Sequence, residues 1–242
     1  MPAQPENPAF QPAGGYADDR MEPSALTDWL PPLLSVIAGM VDLIGFFTLG
    51  NIFTAHITGN LVLAAAAAMR GGPLNLAQAL AIPVFIAAVA ATWLIAQVCH
   101  KQGPALARPL LVVQFVLLAA VLTFSVLTRP STDPHGLMAG IAVMIAVSAM
   151  ACQYVLLRLA LPKVVSTAVM TGNLTNATLT VMEILCRRGS VMAADAKRMT
   201  GSLILLAGFL VGCLVAAAVV SVMADWAWSL PLALAAMAIA LH

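Results

Sequence analysis

The sequence predicts an all-α, polytopic transmembrane helix bundle of about eight spans, arranged as two related four-span halves. Three observations predict it: apolar runs of membrane length, basic residues that punctuate those runs, and an eight-residue motif that occurs twice. Of 242 residues, 62% are hydrophobic and 9% charged, against about 25% charged in soluble domains, so there is too little polar surface for a soluble fold. Half of the ten acidic residues (Glu6, Asp18, Asp19, Glu22 and Asp28) precede Leu30. Beyond it, Arg70, Lys101, Arg108, Arg129, Arg158, Lys163, Arg187, Arg188, Lys197 and Arg198 punctuate the apolar runs as loop charges do between membrane spans.

Residues 1–30 are rich in Pro, Gly and Ala with scattered acids, a composition that cannot bury enough apolar area to offset its ordering entropy. They are expected to form a disordered cytoplasmic tail. They lack the basic, apolar and small-residue blocks of a secretory signal, which leaves the first span to direct its own insertion. A hydrocarbon core of about 30 Å needs about 20 helical residues. The segments that satisfy this are approximately 31–50, 52–70, 78–99, 107–128, 136–158, 164–186, 200–223 and 226–241. The last is short, opens with Trp226-Ala-Trp228 and contains Pro231, and the count is seven if it does not cross. With the N-terminus inside, Arg20, Arg70, Arg129, Arg187, Arg188, Lys197 and Arg198 fall on the cytoplasmic side, against Lys101, Arg108, Arg158 and Lys163 outside.

Thr54-Ala-His-Ile-Thr-Gly-Asn-Leu61 recurs as Thr167-Ala-Val-Met-Thr-Gly-Asn-Leu174, identical at six of eight positions and displaced by 113 residues. The same displacement maps Ser35 onto Ser148 and Ala38 onto Ala151, and carries the first four spans onto the last four. Residues 31–130 and 131–242 are therefore read as two repeats. Four spans per half is an even number, so both halves are expected to enter from the same side as parallel repeats.

Together, Ala38-Gly39-Met-Val-Asp42, Phe46–Gly50 and Phe53–Asn60, with Gln153, Arg158 and Thr167–Thr175 in the second half, resemble the YoaK-like bacterial membrane proteins, the family of domain of unknown function 1275. The resemblance covers nearly everything after the tail. It implies a multi-pass protein of the bacterial cytoplasmic membrane and confers no known activity. His56 conforms to the family pattern before the first Thr-Gly-Asn, whereas many relatives read Thr-Gly-Thr where this chain has Thr171-Gly172-Asn173. Function has to be argued from the site itself.

Asp42 falls near the middle of the first span, where a carboxylate costs roughly 2.5 to 3.5 kcal/mol on insertion scales, so it must face protein or water. The turn near Gly50-Asn51 puts Asp42 and Asn60 at about the same depth, roughly 12 to 14 Å from it, with His56 shallower but within reach. As a function, this is a proton or cation site; as structure alone, it is an aspartate pinning two helices. Val155 occupies the repeat position of Asp42. If the second span is a regular helix, Thr54 and Thr58 share one face and His56 and Asn60 another. The sixth span repeats the pattern with Thr167, Thr171, Thr175 and Thr178 against Asn173, Asn176 and Thr180, and should be central. Either span has the alternative of unwinding at Gly59 or Gly172. Ser, Thr, Asn and Gly are also what closely packed membrane helices use at their contacts.

The candidate binding residues are therefore Asp42, His56, Thr58, Gly59, Asn60, Gln153, Thr171, Gly172 and Asn173. Arg158 is expected to snorkel, and Glu183 with Arg187 to form an end-of-helix ion pair. Cys99, Cys152, Cys186 and Cys213, like His56, His100, His135 and His242, are too scattered for a metal or redox motif. No cofactor, metal, catalytic residue or nucleic-acid partner is expected, and the partners are the lipid bilayer and a small solute, proton or cation. The leading expectation is a secondary transporter or permease whose occluded, partly hydrated cavity touches Asp42, Asn60 and Asn173. The competing one is a membrane scaffold or partner-binding protein in which those residues glue helices together.

Overall fold

The structure, a computed structural model, describes residues 26–69, 76–99, 101–162, 170–186 and 193–242. They form eight α-helices: α1 (Leu26–Thr48), α2 (Gly59–Met69), α3 (Leu76–Val98), α4 (Ala107–Thr128), α5 (Leu137–Ala160), α6 (Met170–Cys186), α7 (Ala193–Met223) and α8 (Ser229–Ala240). Short 3-10 turns occupy Gly103–Leu106, Pro130–Thr132 and Ala224–Trp228, and none of the described residues is in a strand. Five stretches are long and apolar enough to cross a membrane: Asp28–Thr48, Leu76–Val98, Gly103–Thr128, Leu137–Ala160 and Met199–Ala240. The last holds most of α7 and all of α8. The chain is an integral membrane protein of the all-α class, as its apolar runs dictate.

The centre of the bundle is α1 and α5. On α1, Leu30, Leu34, Ile37, Val41 and Ile44 are buried to 1% or less, a stripe at helical spacing that faces protein instead of lipid. On α5, small residues alternate with larger ones: Ala139, Ala142, Val143, Ala146, Val147 and Met150 are fully buried. The outer helices show the opposite pattern, with Leu80, Ile86 and Leu94 of α3 and Leu203, Leu210 and Leu214 of α7 turned outward, the apolar surface a lipid-facing helix needs. The closest approach is between α1 and α7. A Cβ added at Gly39 would run into the Phe209 carbonyl, and one at Gly212 into the Val36 carbonyl. Gly208 and Gly212 thus form the small-residue pair that lets two membrane helices touch backbone to backbone. Ser35 Oγ spans the same seam, donating to the Leu205 carbonyl at 2.6 Å.

Contacts at the helix ends fix the course of the chain. Gly50, just after α1, lies against the Pro134 carbonyl just before α5. Gly140, near the start of α5, packs on Ala77 at the start of α3, its Cβ position 3.7 Å away. Asp225, between α7 and α8, accepts from the Ser131 hydroxyl at 2.6 Å, between α4 and α5. The end of α1, the start of α3, the end of α4, the start of α5 and the end of α7 therefore share one end of the bundle, called here the far end. At the near end, His242, after α8, lies 3.3 Å from the Pro104 carbonyl ahead of α4, and Gln153, late in α5, donates to the Leu34 carbonyl, early in α1, at 2.9 Å. Gly208 meets Pro32 and Gly212 meets Val36, so α7 runs parallel to α1 from the near end.

Two corrections follow. The second predicted segment, 52–70, is not a helix throughout: α2 begins only at Gly59. The end of α1 and the start of α3 both lie at the far end, and the end of α5 and the start of α7 both lie at the near end. Among the described residues, six helices, α1, α3, α4, α5, α7 and α8, run between the ends with alternating direction, fewer than the eight or seven spans expected. Among the described residues before Pro130, three helices run end to end, α1, α3 and α4, whereas the parallel arrangement expected above rests on an even count of four. The helix also begins at Leu26, ahead of the expected tail boundary.

Candidate functional site

The site is built where the chain turns back after α1. Gly50 (φ 83°) and Asn51 (φ 59°) both take the left-handed conformation, the second of which asparagine tolerates best after glycine. The chain then descends beside α1 without helical structure through residues 52–58. Backbone N–H and C=O groups there have lost their helical partners, and at membrane depth each needs a replacement. Side chains supply them. Asp42 Oδ1 accepts from the Thr54 and Ala55 N–H groups at 2.7 and 2.8 Å and from the His56 N–H at 3.4 Å. This is a run of successive amides closing on one anion. The Asn60 side chain accepts from the Phe53 N–H at 2.9 Å and donates to the Phe53 carbonyl at 2.7 Å, satisfying both polar groups of one residue as a neighbouring strand would. Tyr154 of α5 donates to the Ala55 carbonyl at 2.8 Å. The turn closes through Gly59 N–H to the His56 carbonyl at 2.9 Å, and α2 starts there.

The other carboxylate oxygen, Asp42 Oδ2, meets His56 Nδ1 at 2.6 Å. With the carboxylate ionised, Nδ1 is the protonated nitrogen and Nε2 is the ring's remaining hydrogen-bonding atom. The aspartate side chain is 5% exposed and the histidine 38%. Both line a cleft of about 400 Å³ together with Leu43, Phe53, Phe209 and Cys213. The His56 ring meets Phe209 edge-on at 5.0 Å, and Phe53 stacks on Phe46 at 5.1 Å. The cleft is thus aromatic and apolar with one polar pole.

Of the predicted residues, the structure brings together Asp42, His56, Gly59 and Asn60. Asn60 is fully buried behind the cleft wall instead of lining it, and Thr58 is exposed. The backbone is non-helical through residues 52–58 and α2 starts at Gly59, while Gly172 lies in the first turn of α6, which starts at Met170; the residues before Met170 lie outside the described ones. The α6 helix is not central. It packs on α7 with Thr171, Thr175, Asn176 and Thr178 exposed and Asn173 buried. Thr175 and Thr178 return their hydroxyls to the Thr171 and Leu174 carbonyls at 2.9 Å, which lets a threonine sit on an outer membrane helix without another partner. Asn173 does not line the cleft, so the cavity expected to touch Asp42, Asn60 and Asn173 together is not the one observed. Gln153 is fully buried away from it, accepting from Gln114 at 2.7 Å while donating to Leu34; it ties α5 to α4 and α1. Arg158 is exposed at the end of α5, as a snorkelling side chain would be. Glu183 lies in the last turn of α6 and Arg187, its expected partner, lies outside the described residues.

Sequence reasoning missed Tyr154, Phe209 and the Gly208/Gly212 seam. The glycine pair carried a usable signal, its spacing of four in an apolar run. Phe209 and Tyr154 carried none, because their contacts depend on which helices become neighbours.

The family described as Protein of unknown function (DUF1275) matches residues 30–241 of the chain. A curated relative, the UPF0700 transmembrane protein YoaK of Bacillus subtilis (strain 168), is 49% identical over 43 residues, 18% of this chain and 19% of that protein. The chain thus spans about a fifth of the length of the curated relative it matches. No solved structure matches. The match over nearly the whole membrane bundle, including the Asp42 and Thr-Gly-Asn segments, makes this chain a member of the DUF1275 family of proteins of unknown function.

Proposed function

We propose that the protein is a secondary carrier of a small solute, coupled to a proton or cation through the Asp42–His56 pair, in a bacterial cytoplasmic membrane. The observation that carries this reading is the 2.6 Å contact of the pair at the polar pole of a cleft of about 400 Å³, at the tip of a non-helical segment. Small-molecule sites of about 300–1,000 Å³ are mostly apolar with a few placed polar groups, and ionisable residues at membrane depth default to functional candidates. The chemistry favours a proton on the pair over a bare metal cation. Oδ1 is already occupied by backbone amides and Oδ2 by the imidazole, whereas His56 Nε2 is left to exchange a proton or meet a solute. The walls of Phe53, Phe209 and Leu43 suit a solute with a compact apolar body and one hydrogen-bonding group. No catalytic step is part of this reading.

A thermal-shift screen of small solutes on purified protein should find a ligand that stabilises the wild type by mass action and not His56→Ala. That ligand's gradient should then drive proton movement in proteoliposomes, and Asp42→Asn should abolish it. Equal flux in both proteins removes the pair from the mechanism. The competing scaffold reading also has an observation in its favour: Asp42 satisfies backbone amides that nothing else satisfies. It predicts that Asp42→Asn lowers thermal stability while no solute is bound or moved.

A further inference from the structure

We infer that the first and second halves of the chain are inverted copies, each carrying one Thr-Gly-Asn arm, and that the two arms serve opposite faces of the membrane. Helix contacts supply the first argument. Under the 113-residue displacement, α1 to α4 correspond in order to α5 to α8. The principal helix contacts then fall into exchanged pairs: α1 on α7 matches α5 on α3, α5 on α4 matches α1 on α8, and α2 on α3 matches α6 on α7. The remaining two, α1 on α5 and α4 on α8, map onto themselves. This is the pattern of a two-fold axis through two interleaved halves, each half's first helix gripping the other half's third.

Direction supplies the second argument. The halves each hold three end-to-end helices, so the axis lies in the membrane plane, as in inverted-repeat carriers. The arm holding Thr58 and Asn60 joins the far-end terminus of α1 to the far-end start of α3, and that holding Thr171 and Asn173 joins the near-end terminus of α5 to the near-end start of α7. A chain that dips into the bilayer and returns is tolerated only where protein or a cavity meets its polar groups, and the Asp42 cluster does this for the first arm.

Charge supplies the third argument. Among the described residues, Lys101, Arg108, Arg158, Lys197 and Arg198 belong to near-end turns and helix ends, against Arg129 at the far end. In sequence, Lys163 follows α5, Arg187 and Arg188 precede α7, and Arg70 precedes α3. This course sharpens the divided charge expected for eight crossings into a one-sided one. The near end is then cytoplasmic, the Asp42–His56 cleft belongs to the outer arm, and α6 is the inner arm.

Service of opposite faces rests on the carrier reading, whereas the inverted course of the chain does not. Both are tested by labelling single cysteines in cells and in inverted vesicles with a membrane-impermeant maleimide, with Cys99, Cys152, Cys186 and Cys213 replaced by alanine. Asn51→Cys and Thr132→Cys should both label from outside, and Lys101→Cys only from inside. Eight crossings would put Lys101 with Asn51, and Thr132 opposite; that result overturns the inference. Thr58→Cys should label from outside and Thr171→Cys from inside. Labelling of both from one face overturns the two-arm inference even if solute flux is found, whereas the expected labelling without any flux would sink only the carrier reading.

Discussion

The two Thr-Gly-Asn segments share six of eight residues; Thr54–Thr58 of the first form a largely buried loop entering a short helix, and Thr171, Gly172 and Asn173 of the second lie in the first turn of an outer helix. The two differ in what stands before them. Before the first stands Asp42, whose carboxylate collects three amide donors and an imidazole. At the corresponding position of the second stands Val155, which offers no acceptor, and Thr171, Gly172 and Asn173 lie within α6. In the first segment a buried anion with the right reach thus supports an unwound backbone.

The largest expected effect comes from removing that anion. Asp42→Ala leaves the amides of Thr54 and Ala55 and the His56 imidazole without their acceptor, and should lower stability in detergent by about 3–5 kcal/mol, the cost of breaking a buried pair. A loss below about 1 kcal/mol on the same scale would mean that the loop holds itself. Asp42→Asn keeps one acceptor oxygen and should fall between that variant and wild type.

Next is Asn60→Ala, which strips both backbone groups of Phe53 of their partner and should cost about 1–3 kcal/mol, read as a shifted unfolding midpoint. The α1–α7 seam should respond similarly to Gly212→Ala, since the new Cβ runs into the Val36 carbonyl; overpacking costs about 1–3 kcal/mol, and crosslinking yield between cysteines placed on the two helices should drop with it. The smallest effect belongs to α6. Thr175→Val and Thr178→Val remove hydroxyls bonded only to their own helix and should change stability by no more than about 0.5 kcal/mol. A large loss there would show that α6 has a partner in the membrane, and the contrast between the arms would have to be redrawn.

Much of this site was legible beforehand. Asp42 stood out because an ionisable group in an apolar run needs a partner, and rise per residue placed Asn60 at its depth. His56 was within reach on the same count. What could not be read was the partner's form. Asp42 is satisfied mainly by main-chain amides, which every residue carries and no residue type announces. Asn60 looked like a neighbour of Asp42 in a shared cavity, but it binds Phe53 backbone behind the wall. The α6 threonines promised a central helix because polarity was taken as a demand for partners, whereas a threonine meets that demand from its own preceding turn.

Composition and apolar run length alone determined that this chain is a helical membrane protein, because a bilayer accepts almost no other backbone and rewards about 20 apolar residues in a row. The repeated motif, likewise, is visible without any coordinates. Only the tertiary structure decided which of the described helices run from end to end. Hydropathy measures whether a segment is apolar enough to enter the membrane, and a segment that enters and turns back is as apolar as one that crosses. Parity follows from the return, and here the return depends on one carboxylate reaching the backbone of a loop twelve residues further along.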